Sequence, residues 1–468
     1  MRHYLGLNAY SLRKEAKQSP VFYEPHELIS PHVFIAGASG TGKSHQSRQL
    51  LNSAALGGCE IDVFDVHEEF EMLPGSRSVV YSQATRVGYN PLVLDTDPHS
   101  GGPMRQADFL VRLIRSVSPS FGPLQENALR HLLMDCYHKC GITMNDPNSW
   151  IRREISEATR ESIVKEGRLT ALREYYPTLA DLQDHARTKV KALTIGADTK
   201  AAEHLDELLR SVSKLNTLVK KGEKSPEDKE LDNKIADQKT KCIGSYRDAI
   251  NAITTGREID DILKYKSADT ISGVYQRIEL LNSAGIFRAR APDFGKAKVR
   301  VHQIKNLSDE QQVLLVKIRL RQIFDQLKTQ GIVPQGTIRR IIYLDEAHKY
   351  FDHKDKSDII HIIAKEGRKF GVALWLASQD PTEFPESFLT NCGALFITGI
   401  STVYWKATEA KLHLKPDSLK WVRPKEEMAV KLLCDGAPNP AFVNVIVPNP
   451  KTDHGRLAEA QQKFSAKV

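Results

Sequence analysis

The sequence predicts an α/β fold in which a mainly parallel central sheet is interrupted by an all-helical insertion. Short β-type runs alternate with helical stretches in residues 33–94 and again from Val299 onward, which is typical of β-α-β units. Between these parts, apolar residues recur with the 3.6-residue period of helices. The simplest arrangement is one α/β domain whose chain is interrupted by roughly 180 helical residues.

The elements can be placed in order. The predicted strands are the runs HVFIAG, EIDVFD, SVVYS, VRVHQI, IRRIIYL, VALWLA, ALFIT, MAVKLL and FVNVIV. Two helices begin with capping-box patterns, at Thr178 with Asp181 and at Ser308 with Gln311. We divide the chain into residues 1–103 (N-terminal segment and first part of the core), 104–290 (helical insertion), 291–448 (second part of the core) and 449–468 (polar tail).

Composition limits the possible functions. The chain has 468 residues, of which 41% are hydrophobic and 26% charged, so neither a disordered chain nor a disulfide-stapled miniprotein is expected. The formal net charge of +8 is compatible with a polyanionic partner, but it is modest. No run approaches the ~18 apolar residues of a membrane span, and the N-terminus lacks the apolar core of a signal peptide. We therefore expect a cytoplasmic protein without membrane insertion.

A phosphate-binding loop follows the first apolar run, VFIA, and precedes a helix. Its sequence fits G-x-x-x-x-G-K-[ST], and its residues predicted to contact nucleotide are Gly37, Ser39, Gly40, Thr41, Gly42, Lys43 and Ser44. The glycines let backbone N–H groups surround the phosphates, and the N-terminus of the helix adds a positive end. Lys43 would neutralise the β- and γ-phosphates of ATP, and Ser44 would bind Mg²⁺.

A second carboxylate motif is expected with such a loop, and the apolar run IIYL ends in it. Asp345 would hold Mg²⁺ through water, and Glu346 would act as general base or would position the attacking water. A later strand-like run ends at Gln379, whose amide could sense the γ-phosphate or position water. An exposed surface glutamine is the alternative there. Together these residues predict ATP hydrolysis with ATP and Mg²⁺ as cofactors.

The motifs resemble those of the HerA–FtsK superfamily of P-loop ATPases, and the HerA branch most closely. The resemblance runs through HVFIAGASGTGKS, DVHEEF, the NPL tripeptide after Tyr89, DEAH, EGRKFG and ASQ, in the family's order and spacing. It implies a RecA-like motor domain assembled as a homo-oligomeric, hexameric ring, with ATP between subunits and double-stranded DNA in the pore. Members of the HerA branch usually carry an N-terminal β-barrel, and the ~30 residues before the loop leave no room for one.

The resemblance also implies roles for further residues. In such rings a basic residue of the neighbouring subunit stabilises the transferring phosphoryl group, and Arg368 is the matching position, with Lys369, Arg339 and Arg340 as rivals. Asp65 and Glu69 are similar to acidic residues that line the nucleotide site; a strand-end cap is the alternative.

The polar segment HKDKSD supplies the candidate DNA contacts Lys354 and Lys356, although a neutral surface loop is the alternative because aspartates alternate with these lysines.

Three functions stay open at this stage. The first is an ATP-driven DNA translocase or helicase-like motor, working with a nuclease or other effector protein in DNA processing or anti-phage defence. The second is a ring scaffold that gates an effector protein, with ATP turnover as a timer. The third is a soluble type IV secretion or conjugation ATPase. No base-reading motif stands out, so sequence-specific binding is not expected.

Overall fold

The computed structural model describes residues 1–118, 120–195, 199–222, 229–251, 264–287, 290–351, 355–415, 418–437 and 440–465. The chain forms two compact units. The core unit comprises Met1–Tyr89 and Ala291–Val468, and the helical unit comprises Asn90–Arg290. We predicted an insertion from residue 104, whereas the unit begins at Asn90. The reason is that Asn90 Nδ2 donates to Pro177 O at 2.9 Å, which ties this segment to the helical unit.

The core unit contains one large sheet. Its strands are β1 (His3–Asn8), β2 (Pro20–Tyr23), β3 (Val33–Ala36), β4 (Glu60–Asp65), β5 (Ser76–Val80), β6 (Val299–Gln303), β7 (Arg340–Leu344), β8 (Val372–Ser378), β9 (Ala394–Ile397), β10 (Glu427–Leu432) and β11 (Val443–Ile446). Within the described residues, these eleven strands follow the order β2-β1-β11-β10-β9-β3-β8-β7-β4-β6-β5. All pairs from β9 to β5 are parallel, and all pairs from β2 to β9 are antiparallel.

The helices account for most of the remaining described residues. They are α1 (Ala9–Lys14), α2 (Lys43–Leu56), α3 (Pro103–Val117), α4 (Pro123–Lys139), α5 (Glu157–Lys165), α6 (Leu179–Ile195), α7 (Thr199–Gly222), α8 (Lys229–Asn251), α9 (Ala268–Ser283), α10 (Asp309–Thr329), α11 (Ile359–Glu366), α12 (Glu386–Leu389), α13 (Trp405–Leu412) and α14 (Asp453–Ser465). Helices α3 to α9 belong to the helical unit. Where the chain is described, none of its helices combines the length and the apolar character needed to cross a membrane.

The mainly parallel α/β fold is confirmed, and each apolar run predicted as a strand forms one. Both predicted capping boxes form as well. Thr178 and Asp181 exchange hydrogen bonds between side chain and backbone, and so do Ser308 and Gln311. Strands β1 and β2 were not predicted; β2 has only four residues and begins at a proline on the sheet edge.

Strand β3, which leads into the phosphate-binding loop, is buried on both faces. Val33 and Ile35 pack in the same core cluster as Leu50 of α2. On the other face, the ring of Phe34 meets the ring of Phe384 edge-on, with 4.7 Å between centroids. Parallel strands are usually covered on both faces, and this packing fixes the register of β3 against its neighbours. The loop that follows therefore starts from a rigid position.

Most of the segment predicted as a polar tail, residues 449–468, is helical. Residues Asp453–Ser465 form α14, and residues 466–468 lie outside the described part of the chain. Ala458 of α14 is fully buried in a small cluster with Leu7, Ala9 and Ile446. The segment looks polar in sequence because only a narrow stripe of its surface meets the sheet.

A buried ionic cluster joins three neighbouring strands of the core. Asp62 on β4 and His302 on β6 are fully buried, and His302 Nε2 lies 3.0 Å from Asp62 Oδ1. Arg340 on β7 donates to Asp62 Oδ2 at 2.8 Å. Burial alone would raise the pKa of Asp62, but the hydrogen bond from His302 and the charges of Arg319 and Arg340 outweigh burial and hold the pKa far below its usual range. The carboxylate therefore stays charged inside the fold.

We expect Asp62→Asn to lower the free energy of unfolding by ~3–5 kcal/mol, because it leaves buried cations without a counter-charge. Because the pKa of Asp62 is lower in the folded than in the unfolded chain, this contribution should be present above about pH 4 and disappear as the pH falls below it. Urea unfolding followed by circular dichroism at pH 7.5 measures the effect. Glu60→Gln is the matched control, since Glu60 also pairs with Arg340 but its side chain is 40% exposed. Equal effects of the two changes would contradict the prediction.

Candidate functional site

The phosphate-binding loop connects β3 to α2 through backbone conformations that require glycine. Gly40 has φ of 78° and Gly42, directly before the helix, has φ of 102°. L side chains rarely adopt this left-handed region. At Gly37 the constraint is space instead, because a Cβ there would lie 2.0 Å from Thr398 Oγ1. The three glycines predicted from the motif are thus each explained by the local geometry.

The loop is anchored to segments that are distant in sequence. Ala38 N donates to Gly399 O at 2.8 Å, and Lys425 N donates to Thr41 O at 3.0 Å. Thr41 Oγ1 also donates to Ala38 O at 2.8 Å. The segments after β9 and before β10 therefore hold the loop from one side. Lys425 was not predicted, because nothing in the sequence relates it to a loop almost four hundred residues earlier.

Two cavities lie along the loop. The first, of about 270 Å³, is lined by the predicted residues Ser39, Gly40, Gly42, Lys43, Ser44, Asp345, Glu346 and Gln379, together with Ala38, His45, His67, Glu69 and Lys425. The second, of about 380 Å³, extends from Thr41 to the segment of residues 447–451. Both include Gly42, His45 and Lys425, so they meet around Gly42. Gly37 lines neither cavity, and its N–H donates to Ser378 O at 3.0 Å.

The order of the strands brings the other predicted residues to this loop. Strand β8 lies between β3 and β7, and all three are parallel. Their carboxyl ends therefore meet at one edge of the sheet, which is where ligands bind in open α/β sheets. Lys43, Glu346 and Gln379 follow these three ends.

Glu346 is the point where these side chains converge. Lys43 Nζ lies 2.8 Å from Glu346 Oε1, with both side chains more than nine-tenths buried. Gln379 Nε2 donates to the same oxygen at 3.2 Å. Burial would raise the pKa of Glu346, but the hydrogen bond and charge of Lys43, with the hydrogen bond of Gln379, lower it overall. Glu346 is therefore a carboxylate at neutral pH.

The pKa of Asp345 is shifted upward, in the opposite direction to that of Glu346. The side chain is 1% exposed, and Oδ2 has no hydrogen-bond partner among the described residues. Burial raises the pKa of Asp345 to about 6, and the neighbouring Glu346 carboxylate adds to this, although the charge of Lys43 opposes it. A buried carboxylate oxygen without a partner, beside a second carboxylate, provides a position for a cation. Because Mg²⁺ prefers oxygen ligands, the donor set fits it.

The backbone at Glu346 is unusual for a residue with a side chain. Its φ of 47° and ψ of 46° lie in the left-handed region, and a short 3₁₀ helix, Ala347–Tyr350, begins directly after it. Such a conformation costs of order 1–3 kcal/mol and tends to occur at functional sites. The turn also places His348 Nδ1 3.5 Å from Glu346 Oε2. His348 belongs to the DEAH motif, but its residue type alone gave no role to predict.

The two acidic residues after β4 differ from each other. Both oxygens of Asp65 are used by backbone N–H groups of His67, Glu69 and Phe70, at 3.0–3.2 Å. Asp65 is therefore the cap of a strand end, which was the alternative to a nucleotide contact. Glu69 and His67 line the first cavity. His67 was not predicted as a site residue.

Arg368 lies far from the site of its own chain. It belongs to the 3₁₀ helix Gly367–Phe370, before the amino end of β8, and the seven residues of β8 span ~20 Å to the edge where Gln379 lies. Arg368 is exposed, and its Nη1 donates to Ile29 O at 2.6 Å. The rivals differ: Arg340 is buried on Asp62, and Arg339 Nη1 donates to Gly331 O at 2.7 Å.

Of the two candidate DNA contacts, Lys356 lies within the described residues. Lys356 is exposed in the segment between the Ala347–Tyr350 turn and α11. Lys354 lies outside the described residues. Strand β7, which precedes Lys356 in the chain, ends at the same edge of the sheet as β3, the strand before the phosphate-binding loop.

Comparison with known proteins identifies the family of this chain. Residues 11–244, half of the chain, match the sequence profile of the family described as "Helicase HerA, central domain". The chain belongs to this family. It is a HerA-family P-loop ATPase, and its phosphate-binding loop and mainly parallel sheet agree with this assignment.

A curated protein and a solved structure are among those similar to this HerA-family chain. It is 30% identical over 119 residues to a probable helicase, MJECL08, of Methanocaldococcus jannaschii; the match covers 23% of this chain and about a fifth (22%) of the relative's length. The structure of VirB4 of Thermoanaerobacter pseudethanolicus superposes with a TM-score of 0.61, over 96% of this chain and 97% of that one, at 14% identity. The second similarity shows a shared fold.

The raised pKa of Asp345 predicts that Asp345→Asn stabilises the ligand-free protein. The carboxyl pKa is about 6 when folded and ~3.9 when unfolded, so the charged form is disfavoured by folding. The penalty is absent below about pH 4 and complete above about pH 6, and its removal should add ~1–3 kcal/mol to the free energy of unfolding at pH 7.5. The gain should be smaller at pH 5.

Urea unfolding at both pH values, in EDTA and without nucleotide, measures this gain. Asp65→Asn is the matched control, and it should destabilise the protein because the Asp65 carboxylate accepts three backbone hydrogen bonds. Destabilisation by Asp345→Asn at pH 7.5, or a gain that does not change with pH, would contradict the prediction.

Proposed function

We propose that this HerA-family ATPase forms a hexameric ring and hydrolyses ATP to translocate or process double-stranded DNA. The observation that carries the hydrolytic part is the convergence of Lys43 and Gln379 on one oxygen of Glu346, beside the phosphate-binding loop. The name of the family and the similarity to a probable helicase support DNA as the polymer. A nuclease or other effector protein, in DNA processing or anti-phage defence, is the partner in this proposal.

The two cavities would hold different parts of the nucleotide. The phosphates of ATP would lie in the 270 Å³ cavity, where the backbone of Gly40–Ser44 and the N-terminus of α2 supply N–H groups. The base and sugar would lie in the 380 Å³ cavity beyond Gly42. Lys425 borders both cavities and would lie beside the nucleotide where they meet.

Asp345 and the Ser44 hydroxyl would hold Mg²⁺. Both line the phosphate cavity, and Asp345 Oδ2 has no hydrogen-bond partner among the described residues that would compete for it. Held by these two side chains, Mg²⁺ would supply positive charge against the negative charge that develops during phosphoryl transfer.

Lys43 changes partner when ATP binds. In the structure described here it neutralises Glu346, and the β- and γ-phosphates compete for the same ammonium group. Once Lys43 turns to the phosphates, Glu346 Oε1 is available to accept a proton from the attacking water. Gln379, already 3.2 Å from that oxygen, orients the water or contacts the γ-phosphate.

Arg368 completes the site of a neighbouring subunit. It is exposed at the edge of the sheet opposite to its own phosphate-binding loop, so it is available to another chain and not to its own nucleotide. A guanidinium group placed on the γ-phosphate in this way stabilises the transition state. The ring is thus part of the active site.

The DNA part of the proposal rests on charge. Contacts to a duplex that passes through a ring go mainly to phosphates, and Lys354 and Lys356 are the candidates. Such binding depends weakly on base sequence and strongly on salt. A scaffold that gates an effector protein, or an ATPase acting on protein in secretion or conjugation, would lack this dependence.

The test is ATP turnover of the wild-type chain with and without duplex DNA, at 50 and 200 mM salt. We expect hydrolysis that DNA stimulates, with the stimulation lost at higher salt. Lys43→Ala should lose nucleotide affinity, whereas Glu346→Gln should bind ATP and lose a factor of ~10²–10⁴ in turnover. Turnover indifferent to DNA would exclude the translocase and favour the scaffold or secretion function. Glu346→Gln near the wild-type rate would remove Glu346 from its role.

The ring predicts complementation between subunits. Arg368→Ala and Lys43→Ala should each be inactive alone, with a loss of ~10³-fold or more for Arg368→Ala. Mixed rings contain some interfaces with an intact Lys43 opposite an intact Arg368, so partial activity should return. Arg339→Ala is the matched control and should keep its activity, because Arg339 is half-buried with both Nη atoms on backbone carbonyls of its own chain, whereas Arg368 is exposed. Mixtures that co-assemble but stay inactive would contradict the assignment in trans.

A further inference from the structure

His348 stands between Glu346 and the segment that follows β8. Its Nδ1 lies 3.5 Å from Glu346 Oε2, 3.3 Å from Ser378 Oγ and 3.8 Å from Glu383 Oε2. Glu346 Oε1 is occupied by Lys43 and Gln379, so His348 is the neighbour of the other carboxylate oxygen. The side chain of His348 is 29% exposed, which leaves the ring room to turn.

One N–H cannot serve three acceptors at once. Carboxylates only accept hydrogen bonds, so Nδ1 contacts Glu346 or Glu383 as a donor when the ring carries a proton on Nδ1, and in that form the Ser378 hydroxyl is a third acceptor. The three distances all exceed the 2.7–3.2 Å that is usual for N–H···O bonds. The ring therefore lies between these three groups without a hydrogen bond of usual length to any of them.

Glu383, the competing acceptor, lies in a segment that is hydrogen-bonded to another element of the fold. Glu383 ends the 3₁₀ helix Pro381–Glu383, which Asp380 caps by accepting from Thr382 N at 2.7 Å. Lys411 Nζ on α13 donates to Thr382 O at 2.6 Å, so this short helix is attached to α13. The segment also begins directly after Gln379. A shift of α13 would move Glu383 relative to His348.

We propose that His348 is a positioning residue whose Nδ1–H switches between Glu346 and Glu383, so that the segment Asp380–Glu383 regulates the orientation of the Glu346 carboxylate. The inference rests on the proposed function, because it assigns regulation to the same hydrolytic site. With Glu383 as acceptor, Oε2 of Glu346 is left without a side-chain donor. With Glu346 as acceptor, its carboxylate is held from both oxygens and faces the water in one orientation.

The need for His348 arises when Lys43 leaves. Without that ion pair, Glu346 keeps Gln379 on Oε1 and His348 on Oε2. Loss of the second contact would let the carboxylate rotate, which slows proton transfer but leaves the phosphate contacts unchanged. A positioning role therefore affects kcat, whereas KM stays near its wild-type value.

Steady-state kinetics of three substitutions test this role. His348→Leu should lower kcat by ~10-fold or more with KM within about twofold. His348→Asn should recover most of kcat, because its amide N–H lies near the position of Nδ1, whereas His348→Gln places its amide near Nε2 and should not. Lys349→Gln is the control on the same turn; Lys349 pairs with Asp309, and its loss should leave kcat unchanged. Thermal unfolding and binding of a fluorescent ATP analogue verify that each variant is folded.

Removal of the competitor tests the switch itself. Glu383→Ala leaves Glu346 as the carboxylate acceptor for His348, so kcat should rise at least twofold in the wild-type background and not at all beside His348→Leu. Unchanged kcat in His348→Leu, equal losses in the Leu, Asn and Gln variants, or no rise in Glu383→Ala would each overturn the inference. A wild-type chain that does not hydrolyse ATP would instead refute the proposed function, which separates the two failures.

Discussion

Parallel pairing of β3, β8 and β7 is the constraint on which the site depends. Parallel neighbours direct their carboxyl ends to one edge of the sheet, and each return of the chain needs a crossover. Lys43 and Glu346 are 303 positions apart in the sequence, yet their charged atoms lie 2.8 Å from each other. Burial of β3 on both faces prevents a slip in register, because a shift by one residue would exchange the apolar contacts of its two faces. The relative positions of Lys43 and Glu346 therefore depend on the pairing of the strands in the sheet.

The two carboxylates at this edge of the sheet, Glu346 and Asp345, differ in their electrostatic surroundings. Glu346 is paired with Lys43 and ionised, whereas burial raises the pKa of Asp345, whose Oδ2 has no hydrogen-bond partner among the described residues. Two adjacent carboxylates with one ammonium group leave room for a further cation, and phosphate oxygens would in turn attract the ammonium group. The ligand-free site therefore stores electrostatic cost that a nucleotide with its metal would relieve. The left-handed backbone at Glu346 adds a smaller cost at the same place.

Distant segments also fix the phosphate-binding loop and the segment after β8. Gly399 and Lys425 hold the phosphate-binding loop through backbone hydrogen bonds, and α13 holds the segment after β8 through Lys411. Both anchors come from the region between β9 and β10. This region therefore contacts the elements that carry Lys43 and Gln379, and it connects the antiparallel side of the sheet to the site.

The sequence by itself determined the local features: the apolar runs that became strands, the capping boxes, the glycines of the loop, and the identity of Lys43, Asp345 and Glu346. These follow from spacing and residue type, which are encoded within a few positions. It did not determine that Arg340 is buried on Asp62 or that Ala458 packs against the sheet. Only the tertiary structure decided these, together with the strand order that places Gln379 beside Glu346 and the backbone hydrogen bond that places Lys425 beside the loop. The physical reason is that each depends on contacts between segments far apart in the chain, and no local pattern records which segments will meet.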